Sequence, residues 1–257
     1  MRKMNNCTRD ELDNYLKELL NCKSFNDYAP NGLQVEGIDK IKKICTAVTA
    51  SDEIIRKAVA DNADALIVHH GLFWKGDDAV ITGIKRNRLK HLLVNNINLY
   101  AYHLPLDCHL TLGNNAILAK ILDVELIKMY SVDGITNLIW TGVLKKEFSA
   151  NDLSLMIENK LNRAPLYILG NNRPIKKIAW CSGAAEDYII DAHRLGVDAY
   201  LSGEISERTY YQAQELGINY FACGHHATER YGVQALGEHL SEHFSLPHKY
   251  IDSDNPI

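Results

Sequence analysis

Apolar positions recur along the 257 residues with two alternating periods. Near the start, Leu12, Tyr15, Leu16, Leu19 and Leu20 share one face at 3.6-residue spacing, which predicts a helix. Thr8 and Glu11 form a capping box ahead of it, each side chain satisfying an N–H group that the first turn leaves over. The segment 31–37, NGLQVEG, reads as a turn and a short extended piece closed by glycine. Short apolar runs then predict strands at 44–50, 64–69 and 97–103, alternating with helices at 51–61, 85–95 and 113–122. A middle stretch, about 125–175, holds strand candidates at 138–144 and 166–169, a helix at 150–161 and a loop at 171–174. The alternation returns with strands at 178–182, 199–202 and 218–223 and helices at 185–195, 207–216 and 229–243, before a last strand at 249–252. Such alternation implies βαβ units around largely parallel sheets, an α/β protein.

The two alternating stretches share a pattern. Glu53-x-Ile55-x-x-Ala58 followed by Asp64-Ala65-Leu66 parallels Asp187-x-Ile189-x-x-Ala192 followed by Asp198-Ala199-Tyr200. Ile97-Asn98 and Ile218-Asn219 both lead into strands. The expected architecture is two similar, interlinked α/β domains from an internal duplication, with a metal site at strand carboxyl ends between them. The first domain is expected at 1–127, with about 232–257 packing back on it, and the second at 128–231.

Composition narrows the classes. Hydrophobic residues make up 46% and charged residues 23%, which excludes a disordered or fibrous chain. Net charge is −4, which disfavours a protein built mainly to coat nucleic acid or an anionic membrane. The basic helix at 85–91, KRNRLKH, keeps local nucleic-acid binding open. No apolar run approaches the length of a bilayer span, and the N-terminus lacks the apolar core of a secretory signal. The six cysteines are scattered without CxxC spacing, so they read as reduced thiols. The expectation is a soluble cytoplasmic protein.

The ionisable residues matter by position. In open α/β sheets, ligands bind outside the carboxyl ends of the strands. His69 and His70 end one predicted strand, His103 and Asp107 follow another, and His225, His226 and Glu229 follow a third. One histidine pair alone reads as a polar pocket; three strand ends carrying imidazole and carboxylate shift the reading to metal. These are ligands for zinc, iron or manganese without thiolate. His225 and Glu229 share a face if 225–229 opens a helix. Adjacent His69 and His70 cannot share a strand face, which two neighbouring ions resolve, with Asp107 or Glu229 as the available carboxylates. Glu204, or His226, is the candidate proton carrier, from closeness in sequence alone. His91, His193, His239 and His243 read as surface or packing residues on helices, and His248 as surface.

The segments NGLQVEG (31–37), IVHHGLFW (67–74), YHLPLDCHLTLGNN (102–115), YLSGEISE (200–207) and ACGHHATERYG (222–232) resemble, almost end to end, the dinuclear-metal family of type 2 GTP cyclohydrolase homologues, the Nif-three-like family, in its compact bacterial form. The resemblance implies His69, His70, Asp107 and His225 as metal ligands, Glu229 as the bridge between two ions, and His103 as an extra ligand or a partner to one. It also implies a toroidal homohexamer of two-domain subunits and hydrolysis of GTP to a pterin triphosphate and formate. A non-enzymatic metal-binding ring that holds nucleic acid or a protein partner is the alternative.

Overall fold

The computed structural model describes residues 6–257. In chain order they form β1 (Cys7–Thr8), α1 (Arg9–Leu19), β2 (Gly32–Val35), β3 (Lys40–Ile41), β4 (Ile44–Thr49), α2 (Asp52–Ala60), β5 (Ala65–His70), α3 (Gly83–Val94), β6 (Asn98–Ala101) and α4 (Leu104–Asp107). There follow α5 (Asn114–Ile121), β7 (Val124–Val132), β8 (Ile135–Phe148), α6 (Ala150–Leu161), β9 (Leu166–Ile168), β10 (Ile175–Trp180), α7 (Ile189–Arg194), β11 (Ala199–Ser202), α8 (Glu207–Leu216), β12 (Asn219–Ala222), α9 (His225–Phe244) and β13 (His248–Tyr250). Two compact units result: the described residues of Met1–Leu106 with Gly232–Asp254, and Asp107–Tyr231 with Asn255–Ile257.

The first unit is a five-stranded sheet in the order β13-β4-β5-β6-β2, parallel throughout except for β2 at its edge. Its inner strands are apolar on both faces because helices cover both: every residue of β6 and the first five of β5 are buried. The core joins Val68, Leu99 and Ala101 on the strands to Ile55, Leu89 and Leu92 on α2 and α3. The capping box at α1 forms as expected, Thr8 Oγ1 accepting from the Glu11 N–H and Glu11 accepting from the Thr8 N–H. His248, expected at the surface, is half-buried: Nε2 lies 2.8 Å from Thr46 Oγ1, and the ring packs where a Cβ on Gly237 would otherwise stand.

The second unit is a six-stranded sheet in the order β7-β8-β10-β11-β12-β9, parallel only across β10-β11-β12. Its core gathers Ile178, Trp180, Leu201 and Phe221 with Leu153, Ile157 and Leu161 of α6. The expected helix at 185–195 is a 3₁₀ turn, Glu186–Tyr188, followed by the short α7. Strand β7 was not expected. It is an edge strand with only Val124 buried, so no apolar alternation announces it, and a register shift at positive-φ Leu126 breaks its period.

One set of hydrogen bonds occurs in both units. Asp64 Oδ2 accepts from the Lys42 and Lys43 N–H groups (2.7 and 3.0 Å), and Asp198 Oδ2 accepts from those of Lys176 and Lys177 (3.0 and 2.8 Å). The Asp64 carbonyl accepts from Asn98 N–H and Nδ2, and the Asp198 carbonyl from Asn219 N–H and Nδ2. Asn98 Oδ1 takes the Gly37 N–H and Asn219 Oδ1 that of Gly170 (2.8 and 3.2 Å). Each asparagine is fully buried, so its amide must be satisfied within the protein. These bonds fix where the last parallel strand of each unit starts, and hence which residue reaches its carboxyl end.

Asn98→Ala and Asn219→Ala are expected each to lower the unfolding free energy in urea by roughly 1–3 kcal/mol, because each strands a buried N–H and weakens a carbonyl. Losses below about 0.5 kcal/mol at both positions would mean that these amides do not hold the strand starts.

Candidate metal centre

In the first unit, the carboxyl ends of β5 and β6 present three imidazoles. His69 and His70 are the last residues of β5, and His103 follows β6 by two. One ligating atom from each lies within 4.8 Å of the others. Ring centroids are 4.6 Å apart for His69 and His70, and 5.0 Å for His69 and His103. Alternation along the strand would separate the neighbours His69 and His70, but they stand where the strand ends.

The other nitrogen of each ring is held. His69 Nδ1 donates to the Tyr102 carbonyl (2.9 Å), His70 Nδ1 lies 3.0 Å from Thr49 Oγ1, and His103 Nδ1 donates to Asp27 Oδ1 (2.9 Å). A carbonyl or carboxylate only accepts, so Nδ1 carries the proton in His69 and His103 and Nε2 carries the lone pair. Oxygen acceptors behind the ring are the arrangement that orients metal-binding histidines.

Asp27 is the residue that the sequence reading missed. Its side chain is 2% exposed. Burying a carboxylate costs several kcal/mol. Four donors offset this: His103 Nδ1 and the Tyr28 N–H at Oδ1, and Asn31 Nδ2 and the Leu104 N–H at Oδ2. Hydrogen bonds to a charged group contribute roughly 1.5–3 kcal/mol each, enough to win. Burial by itself would raise the Asp27 pKa, but the hydrogen bond and charge of His103, with the bonds from Asn31 and Leu104, hold it below the usual carboxylate range. The only signal in sequence was its place four residues before Asn31, ahead of NGLQVEG.

In the second unit, His225 opens α9 three residues after β12, so His225 and Glu229 fall one turn apart on one face. His225 Nε2 is 3.0 Å from Glu229 Oε2, and Nδ1 is 2.5 Å from Glu204 Oε1. Glu204 follows β11 by two residues, and its carbonyl accepts from the Tyr220 hydroxyl. Burial pulls the His225 pKa down, but the hydrogen bonds and charges of Glu229 and Glu204 outweigh it and push it up to about 9. A Cβ on Gly183, which has φ +68°, would fall on Glu229 Oε1 and come 3.3 Å from His225 Nε2, so glycine keeps the space beside both groups open.

Asp107 ends α4 and is buried, with Oδ1 accepting from Asn114 Nδ2 and Ser182 Oγ, both at 2.9 Å. Asn115 braces this arrangement by accepting the Ser182 N–H at Oδ1 (3.0 Å) and the Trp180 indole at its carbonyl (3.0 Å). Asn114, Asn115 and Ser182 were in view in the sequence as LGNN and CSG, but without partners. His226 is buried and its backbone N–H donates to the Ile257 oxygen (2.9 Å). The donor set, imidazole and carboxylate with oriented rings, fits borderline divalent ions and needs no thiolate.

Known proteins resemble this chain over nearly its whole length. The model of the Duf34/NIF3 (NGG1p interacting factor 3) family matches residues 7–256. A Pasteurella multocida protein named GTP cyclohydrolase 1 type 2 homolog is 50% identical over 248 residues, 96% of this chain and 98% of its own length. The Escherichia coli K12 protein of the same name is 48% identical over 248 residues, with the same coverage. Among solved structures, the protein ybgI, of unknown function, has a TM-score of 0.93 at 46% identity over 98% of this chain and 100% of its own. Reduced HcgD from Methanocaldococcus jannaschii has a TM-score of 0.83 at 27% identity, covering 97% and 99%.

The His225 pKa gives a pH prediction for the metal-free protein. Its folded value, about 9, lies above the ordinary 6.5. The imidazolium therefore stabilises the fold fully below about pH 6.5, and that contribution fades as pH rises through 9. Melting temperature should fall across this window in the wild type, and fall less in His225→Gln. Parallel curves for the two proteins would show that His225 is not the group concerned.

Proposed function

The chain belongs to the Duf34/NIF3 family, and from that premise we propose that it is a cytoplasmic hydrolase of a small, nucleotide-like molecule that depends on a pair of divalent transition-metal ions. The observation that carries the reading is the common treatment of the imidazoles: His69 and His103 each donate Nδ1–H to an oxygen, which leaves the lone pair of the neutral ring on Nε2, and Glu204 stands behind His225 Nδ1 in the same way. In this reading His69, His70, His103, Asp107, His225 and Glu229 would hold the ions. Iron, zinc or manganese bound there would polarise an electrophilic carbon and acidify water. Glu204 orients the His225 ring through Nδ1, Asn114 and Ser182 fix the Asp107 carboxylate, and Glu204 or His226 is the proton carrier. The free state of all six cysteines supports a reducing compartment.

GTP is the first substrate to test, because the relatives' name points to it. The reaction would yield a pterin triphosphate and formate. The homohexamer belongs to the same proposal, as does an origin of the two units by duplication, which the hydrogen-bond set around Asp64 and Asp198 supports. The other reading is a ring scaffold without turnover; exposed Arg86 and Lys90 on α3 favour nucleic acid as its partner.

Purified protein is expected to carry close to two transition-metal ions per chain by elemental analysis. Forms loaded with iron, manganese or zinc should turn GTP into a fluorescent pterin, and Glu229→Gln should abolish this with the fold intact. Protein that takes up no metal on reconstitution would remove the reading, while salt-sensitive oligonucleotide binding without turnover would favour the scaffold.

A further inference from the structure

We propose that Asp27 is a positioning residue that locks the His103 imidazole in its Nδ1–H tautomer and so makes Nε2 the ligating atom, with Asn31 holding Asp27 in place. The consequence for metal rests on the reading of His103 as a ligand; the tautomer itself does not.

Asp27 and Asn31 act as a clamp on the end of β6. Asn31 Oδ1 accepts the His103 backbone N–H (2.7 Å), while its Nδ2 donates to Asp27 Oδ2 (2.9 Å) and to the Ala29 carbonyl (3.4 Å). Asp27 Oδ2 accepts the Leu104 N–H and Oδ1 reaches the His103 ring, so the clamp grips the His103 ring and the backbone N–H groups of His103 and Leu104. Two aromatic rings enclose the imidazole: Trp74 meets it edge-on at 5.2 Å between centroids, and Tyr28 lies tilted at 5.5 Å. The Lys75 N–H donates to the Tyr28 carbonyl (2.6 Å), which ties the two enclosing loops together.

A purely structural role would need less. Capping the Leu104 N–H takes one oxygen, and Oδ2 supplies it. The second oxygen is committed to the ring and to the Tyr28 N–H. Glu204 makes the same kind of contact with His225 Nδ1 in the second unit, so a carboxylate behind a proposed ligand occurs twice.

Asp27→Asn separates the two roles. Its amide oxygen can still take the Leu104 and Asn31 donors, but its NH₂ then faces His103 Nδ1 and favours that nitrogen as acceptor, moving the ring proton to Nε2. The metal-free wild type and variant would be compared by two-bond proton–nitrogen NMR of the histidine rings, and both would be titrated with Co²⁺ followed by its visible absorption. The wild type should show Nδ1–H at His103 and the variant Nε2–H, with melting temperatures within a few degrees. Co²⁺ affinity should fall about 10–100-fold in the variant. Adding His103→Ala to Asp27→Asn should cost little more. A wild-type His103 protonated at Nε2, or a variant with unchanged tautomer and affinity, would overturn the proposal. Should the variant not fold, the wild-type spectrum still decides the tautomer. A wild type with the Nδ1–H tautomer that takes up no Co²⁺ would instead count against the metal reading and leave the clamp standing.

Discussion

An imidazole has two nitrogens, and in its neutral form only one offers a lone pair. The site in this protein depends on deciding which. His69, His103 and His225 each spend Nδ1–H on an oxygen that cannot donate in return: a backbone carbonyl, Asp27 and Glu204. A ring bound this way loses rotational freedom as well as tautomeric choice, so neutral His69 and His103 each keep their lone pair on Nε2. Asp27 is itself held by three further donors.

The scaffold supplies these groups through ordinary α/β geometry. Parallel strands buried on both faces leave their polar chemistry to the ends, where the chain turns out of the sheet. His69 and His70 close β5, His103 follows β6, Glu204 follows β11 and His225 follows β12. The paired sets Asp64–Asn98 and Asp198–Asn219 fix the opposite ends of those strands. A slip of one residue there would send each terminal side chain to the wrong face.

The buried polar groups around Asp107 brace one another. Asp107 is joined through Asn114 and Ser182 to Asn115, and Asn115 accepts from the indole of Trp180. The turn at Ser182 and Gly183 spends its N–H groups on Asn115 Oδ1 and Thr228 Oγ1, so it serves as internal bracing.

The order of helices and strands, the capping box at Thr8 and Glu11, and the gathering of histidines at strand ends were legible because each is local: periodicity, a three-residue spacing and position in a run. The edge strand β7 was not, since a strand with one buried residue has no pattern to read. The clustering of His69 with His103 was implied by neighbouring parallel strands, whereas the tautomers were not implied at all. Asp27 is 76 residues from His103, and its place ahead of Asn31 is the one mark the chain gives it. The sequence by itself determined which side chains reach the carboxyl ends of the strands, because the alternation of apolar runs dictates where strands stop. Only the tertiary structure decided which nitrogen each ring presents, because that choice belongs to whichever distant oxygen the fold brings up behind it.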